Sequence, residues 1–186
     1  MVGGRGGIII RKEKDGGKID RAVFPGCQGT SAVNLLGAKA LIFRLAAQPE
    51  FIDVQKTTLD NAKTMADLFM DKGYRVVTNG TDNHQVLIDL ASENISGKEA
   101  ETGLEAAGLI LNRNVVPQDA KQPGKVSGIR LGTGAVSARG MKAQQIKQIV
   151  DLMDAVMMNP GNRRVQAEVK KEVEQLCRSF PIKPAI

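Results

Sequence analysis

The stretch Tyr74-Arg75-Val76-Val77-Thr78-Asn79-Gly80-Thr81-Asp82-Asn83-His84-Gln85-Val86-Leu87-Ile88-Asp89-Leu90 carries two apolar runs around a turn. Tyr74 to Val77 and Gln85 to Leu90 have the length and β-branched content of strands, and Thr78 to Asn83 is dense in turn residues. Ahead of this pair, Leu59, Ala62, Met65, Ala66 and Phe69 recur at helical spacing between about Gln55 and Lys72, and Gly73 stands where a C-cap belongs. Behind it, Ser96-Gly97-Lys98-Glu99 is a capping box that opens a helix burying Ala100, Leu104 and Ala107 and ending at Gly108. Leu109 to Leu111 and Gly128 to Leu131 read as short strands. The irregular stretch between them, Asn112 to Val126, is long enough to suggest a functional loop. Two helices close the chain. One carries Ile146, Ile149, Val150, Met153 and Met157 on a stripe, read as core; the other carries Val165, Val169, Val173 and Leu176. Asn159-Pro160-Gly161-Asn162 separates them.

Helices and strands thus alternate from about Phe51, the pattern of a small α/β domain with helices packed on a sheet, assigned to residues 51–186. The first 50 residues differ. Gly7 to Arg11 reads as a buried strand, Lys14 to Lys18 as a turn, and Ile19 to Phe24 as a second extended piece, so that the lysines fall in a hairpin. Ser31 to Ala47 reads as a mostly buried helix stopped by Pro49. Two short strands and one helix are little to form a core with, so this segment reads as the end of something larger.

The chain has 186 residues, a net charge of +6 and 42% hydrophobic residues, which excludes wholesale disorder. Five Phe, one Tyr and no Trp argue against modules that stack bases on exposed rings. The basic clusters, Arg11 to Arg21 and Arg163 to Lys171, are interleaved with acids and read as solvated faces, so no nucleic-acid partner is expected. Cys27, Cys177 and the one histidine, His84, supply neither a four-ligand zinc site nor a disulfide framework, and no metal is expected. No apolar run is long enough to span a bilayer and the start carries no apolar signal region, so the expectation is a cytoplasmic protein without a membrane partner.

Neither a Walker A pattern nor a nucleophile elbow is present. Two segments could bind a ligand. Pro25-Gly26-Cys27-Gln28-Gly29-Thr30-Ser31 runs a turn into a helix N-terminus, where free N–H groups suit a phosphate. Ser127-Gly128-Ile129-Arg130-Leu131-Gly132-Thr133-Gly134 sets an arginine among small residues on a short strand, where its planar fork can meet a carboxylate.

Taken in order, these segments resemble one family, serine hydroxymethyltransferase, a pyridoxal phosphate (PLP) enzyme that interconverts serine and glycine with tetrahydrofolate. Gly3-Gly4-Arg5-Gly6-Gly7 is similar to its Gly-Pro-Arg-Gly-Gly turn, and Ala22 to Gly29 to its Pro-Gly-x-Gln-Gly-Gly block. Gln48 to Phe51, Tyr74 to Val77, Thr81 to His84, Gly97 to Glu101, Asn112-Arg113-Asn114 and Ser127 to Arg130 with Arg139-Gly140-Met141 continue the series. The resemblance covers the family's last part only. It implies the C-terminal small α/β domain of a fold-type I transferase, preceded by a fragment of the large PLP-binding domain. It also implies that the Schiff-base lysine, in a Thr-His-Lys-Thr segment of the family, would fall ahead of Met1, leaving this chain with no catalytic residue of its own.

By position, the resemblance makes Arg130 the anchor of the substrate carboxylate. Gln28, Gly29 and Thr30 match the turn that contacts the PLP phosphate of a neighbouring subunit. Asn114, with Gln122, Pro123 and Gly124, matches the place where the family holds the folate pterin. Thr30 stands in place of a glycine, Ser31 of a proline, Asn34 of a histidine, and Gln122-Pro123-Gly124 of a Ser-Pro-Phe-like run. Three readings follow: half of a split enzyme completed by a separate N-terminal PLP-binding polypeptide in an oligomer, a catalytically silent remnant serving as an interaction or regulatory subunit, and an isolated folate- or amino-acid-binding module. The retained Arg130 and Asn114 favour the first.

Overall fold

The computed structural model describes residues 7–93, 95–117, 119 and 126–182. The chain divides into two compact units, up to Ile52 and from Asp53 on.

The first unit contains two helices, α1 (Gly16–Arg21) and α2 (Val33–Ala46). It corrects three expectations. Ile8, Ile9 and Ile10 form no strand and stay 58%, 63% and 94% exposed. The expected turn and second extended piece are instead a short 3-10 turn, Glu13–Asp15, running into α1 and then into a π-helical turn, Ala22–Cys27. There is accordingly no hairpin under Lys12, Lys14 and Lys18. The reason is backbone satisfaction: a strand needs a partner to pair its N–H and C=O groups, and among the described residues none is offered, whereas a helix pairs its own. Lys18 and Arg21 in the last turn of α1 also suit the helix dipole, and Arg21 Nε donates to Gly17 O at 3.0 Å. Only around Phe24, with φ −131° and ψ 124°, is the expected extension kept.

α2 is the helix expected from Ser31 on, but none of its residues is buried; Leu36, Leu41 and Phe43 are among its exposed apolar side chains. A helix apolar on all sides is suited to a covered position, and the described residues of this unit supply no covering layer. Pro49 does not merely stop α2. It is the first residue of α3 (Pro49–Asp71), where a missing N–H costs nothing and the fixed φ is already helical.

The second unit is an α/β fold, as the alternation predicts. Strands β1 (Arg75–Val76), β2 (Gln85–Asp89), β3 (Asn112–Asn114) and β4 (Gly128–Gly132) form one antiparallel sheet in the order β1-β2-β4-β3. Helices α4 (Gly97–Ala106), α5 (Gly134–Ala138), α6 (Ala143–Met157) and α7 (Arg163–Ser179) complete it with α3. Val76, Val86, Ile88, Ile129 and Leu131 alternate onto one sheet face and join the core with Ala62, Phe69, Leu104, Ile146 and Val150 from the helices. The stripe on α6 is buried throughout, so its methionines are core, and Val169, Val173 and Leu176 of α7 follow suit.

Local signals hold where they were read. Gly73 and Gly108 follow their helices at φ +90° and +82°. Ser96 Oγ accepts from Glu99 N, and the Glu99 carboxylate accepts from Ser96 Oγ at 2.7 Å and from Ser96 N; these last two bonds hold the Glu99 pKa below its ordinary value. The third strand is displaced, however. Leu109 and Leu111 pack partly buried against the core, and the ladder forms on the polar Asn112–Asn114 instead. An edge strand is chosen by its hydrogen bonds to β4, which hydropathy does not report.

A polar network ties the end of α3 to α6. Lys72 Nζ meets Asp151 Oδ1 at 2.9 Å and Asp154 Oδ2 at 3.0 Å, and the Tyr74 hydroxyl donates to Asp154 Oδ1 at 2.8 Å. Hydrogen bonds to Asp151 and Asp154 raise the Lys72 pKa; burial, then the bond to Asp154, raises that of Tyr74. Both groups therefore keep their protons more tightly in the folded state. Their contribution is complete below the unfolded values, about 10, and is lost progressively as pH rises from there through the raised folded ones. Asp154→Ala should cost about 2 kcal/mol at pH 8, because it strands a buried phenol. It should also flatten the alkaline fall in stability, measured by urea unfolding between pH 8 and 11. An unchanged alkaline slope in the variant would assign that fall to other groups.

Candidate functional site

The sheet has a second face, turned away from the helical core, that carries Arg75, Gln85, Leu87, Asp89, Asn112, Asn114, Gly128 and Arg130. The pairing sets their arrangement: Arg75 opposite Asp89, Leu87 opposite Arg130, Asn112 opposite Arg130, and Asn114 opposite Gly128. Strand alternation puts Arg113 on the other side, toward α4, where its guanidinium lies 3.5 Å from Glu101.

The three arginines of the sheet have different partners. Arg75 Nη1 is 3.2 Å from Asp89 Oδ2, on a carboxylate that is fully buried and also accepts from Ala91 N. Arg113 pairs with Glu101. Arg130 is exposed, and among the described residues its bonding partner is the neutral Asn112, whose Oδ1 accepts from Nε at 3.1 Å. Its two Nη groups meet no carboxylate of the described residues. Along β4 it is flanked on the same face by Gly128, which is covered by Val116, and by the exposed Gly132, which leaves room for a small ligand to approach from that end.

Asn114 shares this face. Its Nδ2 donates to Val115 O at 2.9 Å, leaving Oδ1 for another donor. The chain then folds back over β4. Val116 is fully buried against Gly128, where a Cβ would lie 2.5 Å from Val116 Cγ1 and 2.7 Å from Asn114 O. Asp119, 4% exposed, clasps the two ends of the loop. Its Oδ2 accepts from Val116 N and Ser127 N at 3.2 and 2.7 Å, and its Oδ1 from Ser127 Oγ at 2.7 Å. Gly97 seats the start of α4 on the same backbone: a Cβ there would come within 2.7 Å of Val126 O and 2.8 Å of Gly128 O. At the far end of β4, Thr133 Oγ1 donates to Thr58 O at 2.8 Å and pins the strand to α3.

Arg130 and Asn114, selected from sequence, are thus on neighbouring strands and on one face. Gln122, Pro123 and Gly124 lie outside the described residues. Gln28, Gly29 and Thr30 belong to the first unit, in the exposed turn before α2, whose N-terminus has no side-chain cap. Sequence reading assigned no role to Asn112, although it begins the quoted Asn112-Arg113-Asn114 motif, and missed Asp119. The latter's only local signal is an acid three residues after Val116.

A family model described as serine hydroxymethyltransferase matches residues 2–153. The chain belongs to the serine hydroxymethyltransferase family. Over 182 residues it is 39% identical to serine hydroxymethyltransferase from Nitrosomonas eutropha, an alignment covering 98% of this chain and 44% of that relative. The chain therefore spans less than half the length of the curated relative it matches. Its α/β unit is the small domain that membership in the serine hydroxymethyltransferase family leads one to expect.

PLP needs a lysine within reach of its aldehyde carbon and groups against its ring. Lys12, Lys14 and Lys18 are solvent-exposed, and Tyr74, the one tyrosine, is committed to the core, edge-on to Phe69 with ring centroids 5.6 Å apart, so these residues form no enclosed place for the ring. No described helix is long and apolar enough to cross a membrane.

Proposed function

We propose that this chain is the C-terminal part of a serine hydroxymethyltransferase-like enzyme that interconverts serine and glycine with tetrahydrofolate. It contributes the substrate-carboxylate anchor and the folate arm, while PLP and the Schiff-base lysine come from a separate N-terminal polypeptide. The observation that carries this reading is the neutral partner of Arg130. Of three arginines on the sheet, it alone meets no carboxylate among the described residues, and a guanidinium left in that state suits an incoming amino-acid carboxylate.

In this reading Arg130 holds the substrate carboxylate and so orients the bond to be broken at Cα. Asn114, with the stretch from Gln122 to Gly124, receives the pterin, and the Asp119 clasp sets the span of that loop. Gly29 and Thr30 offer backbone N–H groups, and Gln28, whose own N–H donates to Val23 O at 2.8 Å, its side-chain amide, to a phosphate held by a neighbouring subunit. The exposed isoleucines and the apolar α2 fit burial in such an assembly. Two unpaired cysteines, Cys27 and Cys177, fit a reducing, cytoplasmic setting.

Complementation tests the reading. An N-terminal serine hydroxymethyltransferase polypeptide ending in Thr-His-Lys-Thr, mixed with this chain and PLP, should form a stable complex and convert serine to glycine; neither polypeptide alone should. A stable complex that neither turns over nor binds glycine would favour the silent-remnant reading, for which the departures at Thr30, Asn34 and Gly124 are the motive.

A further inference from the structure

We infer that Asn112 is a positioning residue for Arg130: a neutral acceptor that fixes the guanidinium by its Nε edge and leaves both Nη groups, and the full positive charge, for a carboxylate. The inference rests on the reading of Arg130 as the anchor. Three observations carry it. Asn112 and Arg130 are direct partners in the β3–β4 ladder, so the contact is built by the sheet and not by a wandering side chain. The amide is itself oriented, because Asn112 Nδ2 donates to Arg113 O at 2.7 Å and so turns Oδ1 toward Arg130 Nε. Finally, the same sheet face shows the alternative. Arg75 is held by the Asp89 carboxylate and neutralised by it.

A guanidinium presents two edges to a planar carboxylate, and binding at Nε occupies one of them. Holding that edge with an amide selects the Nη1–Nη2 edge for the ligand and restricts rotation about the last side-chain bonds. Rotamer freedom is what a long arginine otherwise loses on binding. An acid at position 112 would hold the same edge but compete electrostatically with the ligand. The choice of amide over acid is therefore the specificity-bearing feature.

The test uses the full chain, labelled with 15N, with Arg130→Ala locating the Arg130 Nε–H resonance and acetate as the carboxylate probe. In the wild-type chain Nε–H should exchange slowly with solvent and the Arg130 signal should shift on adding acetate. Asn112→Ala should speed exchange and weaken acetate binding, each about 3- to 10-fold. Asn112→Asp should keep slow exchange yet bind acetate on the order of 10-fold more weakly. The complemented enzyme should show the same ranking in KM for serine with kcat little changed. Exchange and acetate response in Asn112→Ala equal to wild type would overturn the inference while leaving the anchor reading intact. Acetate binding by Asn112→Asp as tight as wild type would overturn the role given to neutrality. An Arg130 signal that ignores acetate in the wild-type chain would overturn both the inference and the anchor reading.

Discussion

Arg130→Ala in the complemented enzyme is expected to lower kcat/KM for serine by about 30- to 1000-fold. That is the loss of a charge-assisted carboxylate contact worth about 2–4 kcal/mol. Thermal stability should change by under about 1 kcal/mol, because the side chain is exposed and its one described partner, Asn112, can turn to water. Arg130→Lys should recover little, since an ammonium cannot offer two parallel N–H donors. Arg75→Ala is the informative control. It removes a guanidinium from the same sheet face but strands the buried Asp89 carboxylate, so it should destabilise the fold without a matching effect on serine. Full activity of the Arg130→Ala complex would remove the anchor assignment and leave family membership without that chemistry.

Gly128→Ala should be the most damaging small substitution in the second unit. The added Cβ would stand 2.5 Å from Val116 Cγ1, 2.7 Å from Asn114 O and 3.1 Å from Ile88 O. Two of these contacts are backbone carbonyls of the strands on either side, β3 and β2, which cannot retreat without lengthening the ladders to β4. A cost of about 3 kcal/mol follows, or a fall in melting temperature of roughly 10 °C. The effect should reach the site as well, because the displaced β3 carries both Asn112 and Asn114. A variant that melts within about 2 °C of wild type would show that the sheet can open there, against the packing described.

Much of the second unit could be read along the chain, for a common reason: its signals are local. A capping box spans four residues, Ser96 to Glu99, and an amphipathic stripe such as Ile146 to Met157 repeats within a single helix. Each element's type is therefore set by interactions between near neighbours, and the ordered motifs were enough to suggest the family. Where a property depends on residues far apart, reading along the chain fell short. The strand expected at Leu109 to Leu111 moved to Asn112–Asn114, since edge pairing is settled by backbone hydrogen bonds to β4. Ile8 to Ile10 and Ile19 to Phe24 find no strand partner for their peptide groups among the described residues.

The chemistry of the site shows the same division. That an arginine sits among small residues at position 130 is plain from sequence, and so is the asparagine at 114. That Arg75 and Arg113 are neutralised by Asp89 and Glu101 while Arg130 is held by an amide is not. Those pairs are brought together only by the register of the sheet and the packing of α4. The sequence determined which residue types are present and which short segments become helix or strand. The tertiary structure decided which guanidinium keeps its charge, because charge compensation acts through space, between residues that a strand pairing or a helix crossing makes neighbours.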